Sequence, residues 1–191
     1  MRLVILEGAD GVGKSTAIAN LDYLYKDNEN YKFFHVPKPA KDLSMKTKMV
    51  EYWRDMLTKA FSGYEFTHDS VFIMDRSPVG NLIYGKRKKD QPYLTYDQLV
   101  DIFDWLAVGF DRVDVILLHC SDEVLKQRVD SRGDDYVKSD ELIGIQNDYL
   151  EVWKKLDRNY KIRGDIYFWK APRDGTEHRI VDYIQDKLAR N

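Results

Sequence analysis

Leu3-Val4-Ile5-Leu6-Glu7-Gly8-Ala9-Asp10-Gly11-Val12-Gly13-Lys14-Ser15-Thr16 is the stretch whose reading decides the fold. Four apolar residues make a short buried strand. They run into an uninterrupted GxxxxGK[ST] pattern, from Gly8 to Ser15, and then into a predicted helix over Lys14–Tyr25. The glycines let backbone N–H groups turn inward around a β-phosphate, and the helix N-terminus adds its positive end. Lys14 is placed to reach the β- and γ-oxygens of ATP and to follow the charge as it migrates in phosphoryl transfer. The Ser15 hydroxyl suits Mg²⁺. Gly8, Ala9, Asp10, Gly11, Val12, Gly13, Lys14, Ser15 and Thr16 are therefore the candidate ATP-binding residues. The alternative is a Gly-rich turn that only caps a helix.

Working outward, strand and helix patterns alternate, which predicts an α/β protein with a mainly parallel sheet. Further strands are expected at Tyr31–Val36, Val71–Met74, Val113–Leu118 and Ile166–Trp169. Helices are expected at a segment carrying Met45, Met49, Trp53, Met56 and Ala60, at Gly80–Lys86, Tyr96–Val108, Asp122–Arg132, Ser139–Leu156 and Thr176–Leu188. Five strands with helices on both faces make a doubly wound sheet, and no linker divides residues 1–191. In such sheets ligands sit beyond the carboxyl ends of the strands. Asp75 ends the apolar run Val71-Phe72-Ile73-Met74, where a carboxylate can hold the hydration shell of magnesium. An ordinary capping Asp is the alternative. Arg76 puts a cation at the same edge.

Composition narrows the function classes. The chain is 43% apolar and 32% charged, as in a globular protein. No apolar run is long enough to span a membrane, and Leu3–Leu6 is too short for a signal peptide. A net charge of −2 provides no global attraction to nucleic acid or anionic lipid. Cys120 is the only cysteine, so a reducing, cytoplasmic setting is the default. Lys86-Arg87-Lys88-Lys89 reads as a solvated loop, and no metal-ligand spacing surrounds any histidine.

With these residues in place, the sequence resembles the thymidylate kinase family, which has the P-loop NTPase fold. Glu7 to Thr16 is close to that family's EGxDGxGK[ST]T. Asp75-Arg76-Ser77-Pro78-Val79-Gly80-Asn81-Leu82-Ile83-Tyr84 follows its DRYxxSxxAY segment. Arg54 stands 21 residues before Asp75, the spacing of the family's base-binding arginine. Asp114 to Arg128, then Arg132-Gly133, is similar to PDLxxxLxxxPExxxxRxxxRG. The resemblance implies that Asp10 accepts from a sugar 3′-hydroxyl, that Arg76 holds the acceptor phosphate, and that Arg54 donates to a base carbonyl. It implies that Asn81 and Tyr84 close over the nucleoside. It also implies a short lid at about 128–140, with Arg128 stacked on adenine and Arg132 stabilising the transferring phosphoryl. For Arg54 a snorkelling surface side chain is the alternative, for Asn81 and Tyr84 helix packing, and for Arg128 and Arg132 a salt-bridged surface. Family members are often dimers, so a homodimer is a further expectation.

Departures from the family keep rival acceptors in play. Where the family has Arg-Glu-Pro-Gly-Gly-Thr, this chain reads Val36-Pro37-Lys38-Pro39-Ala40-Lys41. A nucleoside kinase needs a carboxylate at this turn as general base for a neutral 5′-hydroxyl. A monophosphate is already anionic and needs cations, and Lys38 supplies one. The leading expectation is transfer of the γ-phosphoryl of ATP, with Mg²⁺, to a deoxynucleoside monophosphate, dTMP first, giving dTDP. A deoxynucleoside kinase, a nucleic-acid end kinase and a P-loop binding module are the alternatives. Val50 and Ser77 stand where the family has aromatic residues, which leaves the base open.

Overall fold

The structure is a computed structural model, and it describes residues 1–36, 48–87, 94–132, 139–159, 166–170 and 178–189. Five strands form one sheet in the order β2-β3-β1-β4-β5. They are β1 (Arg2–Glu7), β2 (Tyr31–His35), β3 (Val71–Asp75), β4 (Arg112–His119) and β5 (Ile166–Lys170), and every pairing is parallel. The helices are α1 (Lys14–Tyr25), α2 (Met49–Ser62), α3 (Val79–Arg87), α4 (Tyr96–Gly109), α5 (Asp122–Arg132), α6 (Ser139–Asn159) and α7 (His178–Ala189). Helix α1 packs on α7. A second group links α2 to α4, α4 to α3, α3 to α6 and α6 to α5.

Strand β1 is central, and burial on both faces explains its unbroken apolar run. Leu3, Ile5 and Leu6 have no exposed surface. Its neighbours are β3 on one side and β4 on the other, so the strand order reverses across it. That reversal opens a crevice at the carboxyl ends, the place where Gly8–Lys14 and Asp75-Arg76 converge.

The opposite edge is tied by a charge cluster that bridges both ends of the chain. Asp114, 1% exposed, accepts from Arg2 Nε at 2.6 Å and from Arg112 Nε at 2.8 Å. The same Arg2 guanidinium donates to the carbonyls of Leu188 and Lys187, satisfying groups that the end of α7 leaves open. Asp114, read from sequence only as part of a family motif, is thus an anchor for β1, β4 and α7. Helix α4 starts with a complete capping box between Thr95 and Gln98.

Boundaries shift by a residue or two at several ends, as frayed termini do. Helix α2 begins at Met49, and Met45 lies outside the described residues. So do 133–138, within the expected lid, and 176–177, at the expected start of α7. No helix among the described residues is long and apolar enough to cross a membrane.

Candidate active site

Three glycines with positive φ shape the loop between β1 and α1: Gly8 at 142°, Gly11 at 88° and Gly13 at 102°. Gly8 is the most constrained. A Cβ there would lie 2.4 Å from the Leu118 carbonyl oxygen of β4, so only a hydrogen fits. Gly13, in the left-handed region, turns the chain directly into α1. Ala9 and Val12 pack into the core, while Ser15 and Thr16 face outward on the first turn of α1.

Lys14 is 4% exposed and folds back over the loop. Its Nζ donates to the carbonyls of Gly8 at 2.6 Å and Ala9 at 2.7 Å. Burial, then the like charge of Arg76, pull its pKa down, against Asp10, Glu7 and Asp75. Arg76 is the sole non-glycine residue with positive φ among those described, at 76°. Such a conformation costs about 1–3 kcal/mol and marks a place where position outweighs strain. Its backbone N–H donates to Leu6 O at 3.0 Å, which docks the turn after β3 onto β1.

The Arg76 guanidinium then reaches Asp10 Oδ1 at 2.8 Å, and Tyr84 OH on α3 donates to Asp10 Oδ2 at 3.3 Å. Burial opposes the charge on Arg76, but Asp10 and Glu7 outweigh it and raise its pKa. The Tyr84 hydroxyl is pushed up, by burial first and by Asp10 second. Asp10, Lys14, Arg76 and Tyr84, chosen from separate parts of the sequence, are brought together here.

Asp75 has a partner the sequence did not suggest. Strand register places His35 beside it, and His35 Nδ1 lies 2.7 Å from Asp75 Oδ2. The other oxygen, Oδ1, is buried without a hydrogen-bond partner. Oxygen donors of this kind fit a magnesium hydration shell better than a softer metal. Among the described residues no group of three metal-ligating side chains occurs.

Glu7 is the residue sequence reading passed over. It was legible only as a letter of the motif, whereas the fold buries it completely beneath Lys14 and Arg76. Neither carboxylate oxygen closes a hydrogen bond, and the hydroxyl of Tyr149 on α6, which lies toward it, has no partner either. Burial, only partly offset by Lys14, pushes the Glu7 pKa up from its ordinary 4.5 to about 7. A raised folded value means that the native state binds the proton more tightly than the unfolded chain. Glu7 therefore contributes stability below about pH 4.5 that is lost as the pH rises toward 7. Glu7→Gln, which cannot ionise, is expected to raise the melting temperature at pH 8 by about 2–4 °C, with a smaller gain at pH 5. An equal or larger gain at pH 5 would contradict this origin.

The remaining candidates lie apart. Arg54 follows Trp53 on α2, and the buried line of that helix is Met49, Trp53, Leu57 and Phe61. One residue further is about 100° around the helix, and Arg54 is exposed. Its guanidinium points to the Asp101 carbonyl of α4 at 3.5 Å, and the structure does not bring it to the Asp10 cluster. Asn81 accepts a hydrogen bond from Trp53 Nε1 at 3.1 Å. Arg128 Nη1 contacts Gly11 O at 3.4 Å, which puts this arginine of α5 on the phosphate loop itself. Arg132 ends α5, its side chain outside the described set, and Lys38 lies wholly outside the described residues.

No protein-family model matches the chain. The SPbeta prophage-derived uncharacterized protein YorR of Bacillus subtilis (strain 168) is 31% identical over 185 residues, covering 96% of this chain and 98% of that protein. The crystal structure of YorR from Bacillus subtilis in complex with phosphorylated GDP superposes with a TM-score of 0.66, at 25% identity, over 99% of both chains. A thymidylate kinase of Campylobacter lari is 27% identical over 201 aligned positions, covering 96% of this chain and 99% of that one. The chain belongs, with YorR, to the P-loop nucleotide kinases. A deoxyadenosine kinase from M. mycoides, solved with dCMP and dCDP, shares the fold of this nucleotide kinase at a TM-score of 0.60 and 20% identity, covering 98% of each chain.

Proposed function

We propose that this kinase transfers the γ-phosphoryl of ATP to a deoxynucleoside monophosphate, dTMP being the acceptor that the thymidylate kinase resemblance implies. The observation that carries the reading is Arg76, held in a left-handed backbone conformation with its guanidinium 2.8 Å from Asp10 of the phosphate loop. A second cation beside Lys14 has no task in holding one nucleotide's β-phosphate, but it suits an anionic acceptor that must approach another polyanion. Clamping both removes the entropic cost of aligning them.

In this reading Gly8–Thr16 cradle the ATP phosphates and Arg128 borders the adenine. Lys14 exchanges two neutral carbonyl acceptors for phosphate oxygens, a gain because charge-assisted bonds are roughly twice as strong. Asp10 and Tyr84 face the sugar of the acceptor. Arg132 and Lys38 belong to the same proposal as cations for the transferring and accepting phosphates, and Arg54 and Asn81 as contacts to the base. Ser15 and, through water, Asp75 would hold Mg²⁺, which neutralises charge on the β- and γ-oxygens. The orphaned, buried Asp75 Oδ1 supports that assignment.

A coupled ADP-release assay with ATP and Mg²⁺, across the deoxynucleoside monophosphates, thymidine and deoxycytidine, tests the reading. Turnover of monophosphates alone is expected; turnover of nucleosides alone would replace it with a deoxynucleoside kinase. Arg76→Gly keeps the φ of 76° without steric cost, so it isolates the guanidinium. It is expected to lower kcat/KM for the monophosphate by about 10²-fold, with a much smaller change in KM for ATP. Equal losses for both nucleotides would remove Arg76 from the acceptor site.

A further inference from the structure

Trp53 is 1% exposed on α2, and its indole Nε1 lies 3.1 Å from Asn81 Oδ1 on α3. An indole N–H can only donate. The oxygen and nitrogen of an asparagine amide are hard to tell apart by shape, but a donor-only partner settles which is which. Whatever faces the indole must accept, so Asn81 turns its oxygen to Trp53 and its NH₂ group elsewhere.

Asn81 is half-buried and stands one helical turn before Tyr84, whose hydroxyl reaches Asp10 on the phosphate loop. The amide therefore lies on the stripe of α3 that borders the site. An amide with both ends free can turn either way and read a base edge that offers a donor or an acceptor. With Oδ1 committed to Trp53, the outward-facing group is a donor.

We propose that Trp53 is a positioning residue for base choice. By holding the Asn81 oxygen it makes Asn81 an N–H donor toward the acceptor nucleotide, and so favours bases whose polar edge presents an accepting ring nitrogen. Cytosine and adenine carry such a nitrogen on their pairing edge; thymine and guanine carry N–H there and would face donor against donor. At this contact the inference therefore departs from the dTMP that the resemblance implies. The inference rests on the reading that the nucleotide acceptor binds beside Asp10 and Arg76. Absolute preference also depends on the rest of the pocket, so the quantity that isolates the amide is a ratio.

Trp53→Phe keeps an aromatic ring and removes the N–H, which frees the amide to turn over. The ratio of kcat/KM for dCMP over dTMP, and for dAMP over dGMP, is expected to fall by about tenfold. Asn81→Asp leaves Trp53 its acceptor and removes every donor, and it is expected to shift both ratios in the same direction. This second variant tests whether a donor at Asn81 reads the base at all, so unchanged ratios in it overturn the proposal even if Trp53→Phe folds poorly. The same ratios taken from dissociation constants by calorimetry, without ATP, need no turnover. Binding without turnover in the wild type would overturn the kinase assignment while still testing Trp53. Unchanged ratios in either well-folded variant, or wild-type binding of none of the four nucleotides, would overturn the role of Trp53. A parallel loss for all four nucleotides that tracks the melting temperature would also overturn it, since packing alone produces that.

Discussion

Lys14→Ala is expected to lower phosphoryl transfer by at least about 10²–10³-fold, the scale seen when one preorganised donor to a developing charge is removed. The structure makes this a clean test. Lys14 is buried, and its two hydrogen bonds go to backbone carbonyls of its own loop rather than to a distant element. Its pKa is already pulled down by burial and by Arg76, so the fold gains little from its charge. A small change in melting temperature is therefore expected beside a large loss of kcat. The measurement is ADP release together with a thermal melt of the same preparation. Transfer within tenfold of the wild type would sink the assignment of the loop as the phosphate site. A collapse of the melting temperature would instead make Lys14 a structural residue.

Gly8→Ala is expected to cost about 3 kcal/mol, from overpacking and backbone strain together. The added Cβ would meet Leu118 O at 2.4 Å and Val12 Cγ2 at 3.1 Å, and the φ of 142° suits no side chain. Leu118 belongs to β4, which pairs with β1 on one side and β5 on the other, so its carbonyl cannot retreat. For a chain of this length the loss corresponds to a fall of about 6–12 °C in melting temperature. Gly63→Ala is the matched control, because nothing lies within 4 Å of its Cβ position and its φ is −83°. Thermal melts of the two variants decide the point. If Gly8→Ala melts with the control, the close approach of loop and strand is wrong.

How much was legible in advance depended on sequence distance. The strand–loop–helix at Leu3–Tyr25 could be read because its signals are local: an apolar run, glycines at fixed offsets and a lysine at the helix start. Asp75 and Arg76 could be picked out because an apolar strand ends on them. Met49 and Trp53 could be placed on one line of α2 because they recur at helical spacing. Where the Arg54 guanidinium points could not be read, because the Asp101 carbonyl it faces lies on another helix, α4. The His35–Asp75 pair depends on the register of two strands forty residues apart, which no local pattern encodes. Arg2, Asp114 and the end of α7 meet across almost the whole chain.

By itself, then, the sequence determined the alternation of elements, the phosphate loop and the chemical type of each candidate side chain. These follow from period, glycine placement and residue chemistry, all of which act over a few positions. Tertiary structure alone decided that Glu7 is buried beneath two cations without a hydrogen bond, that Arg76 adopts a left-handed turn to reach Asp10, and that the Trp53 indole donates to Asn81. Each of these depends on which atoms the parallel sheet and its helices bring within 3 or 4 Å of one another, and hydrogen bonding and desolvation are set at that range.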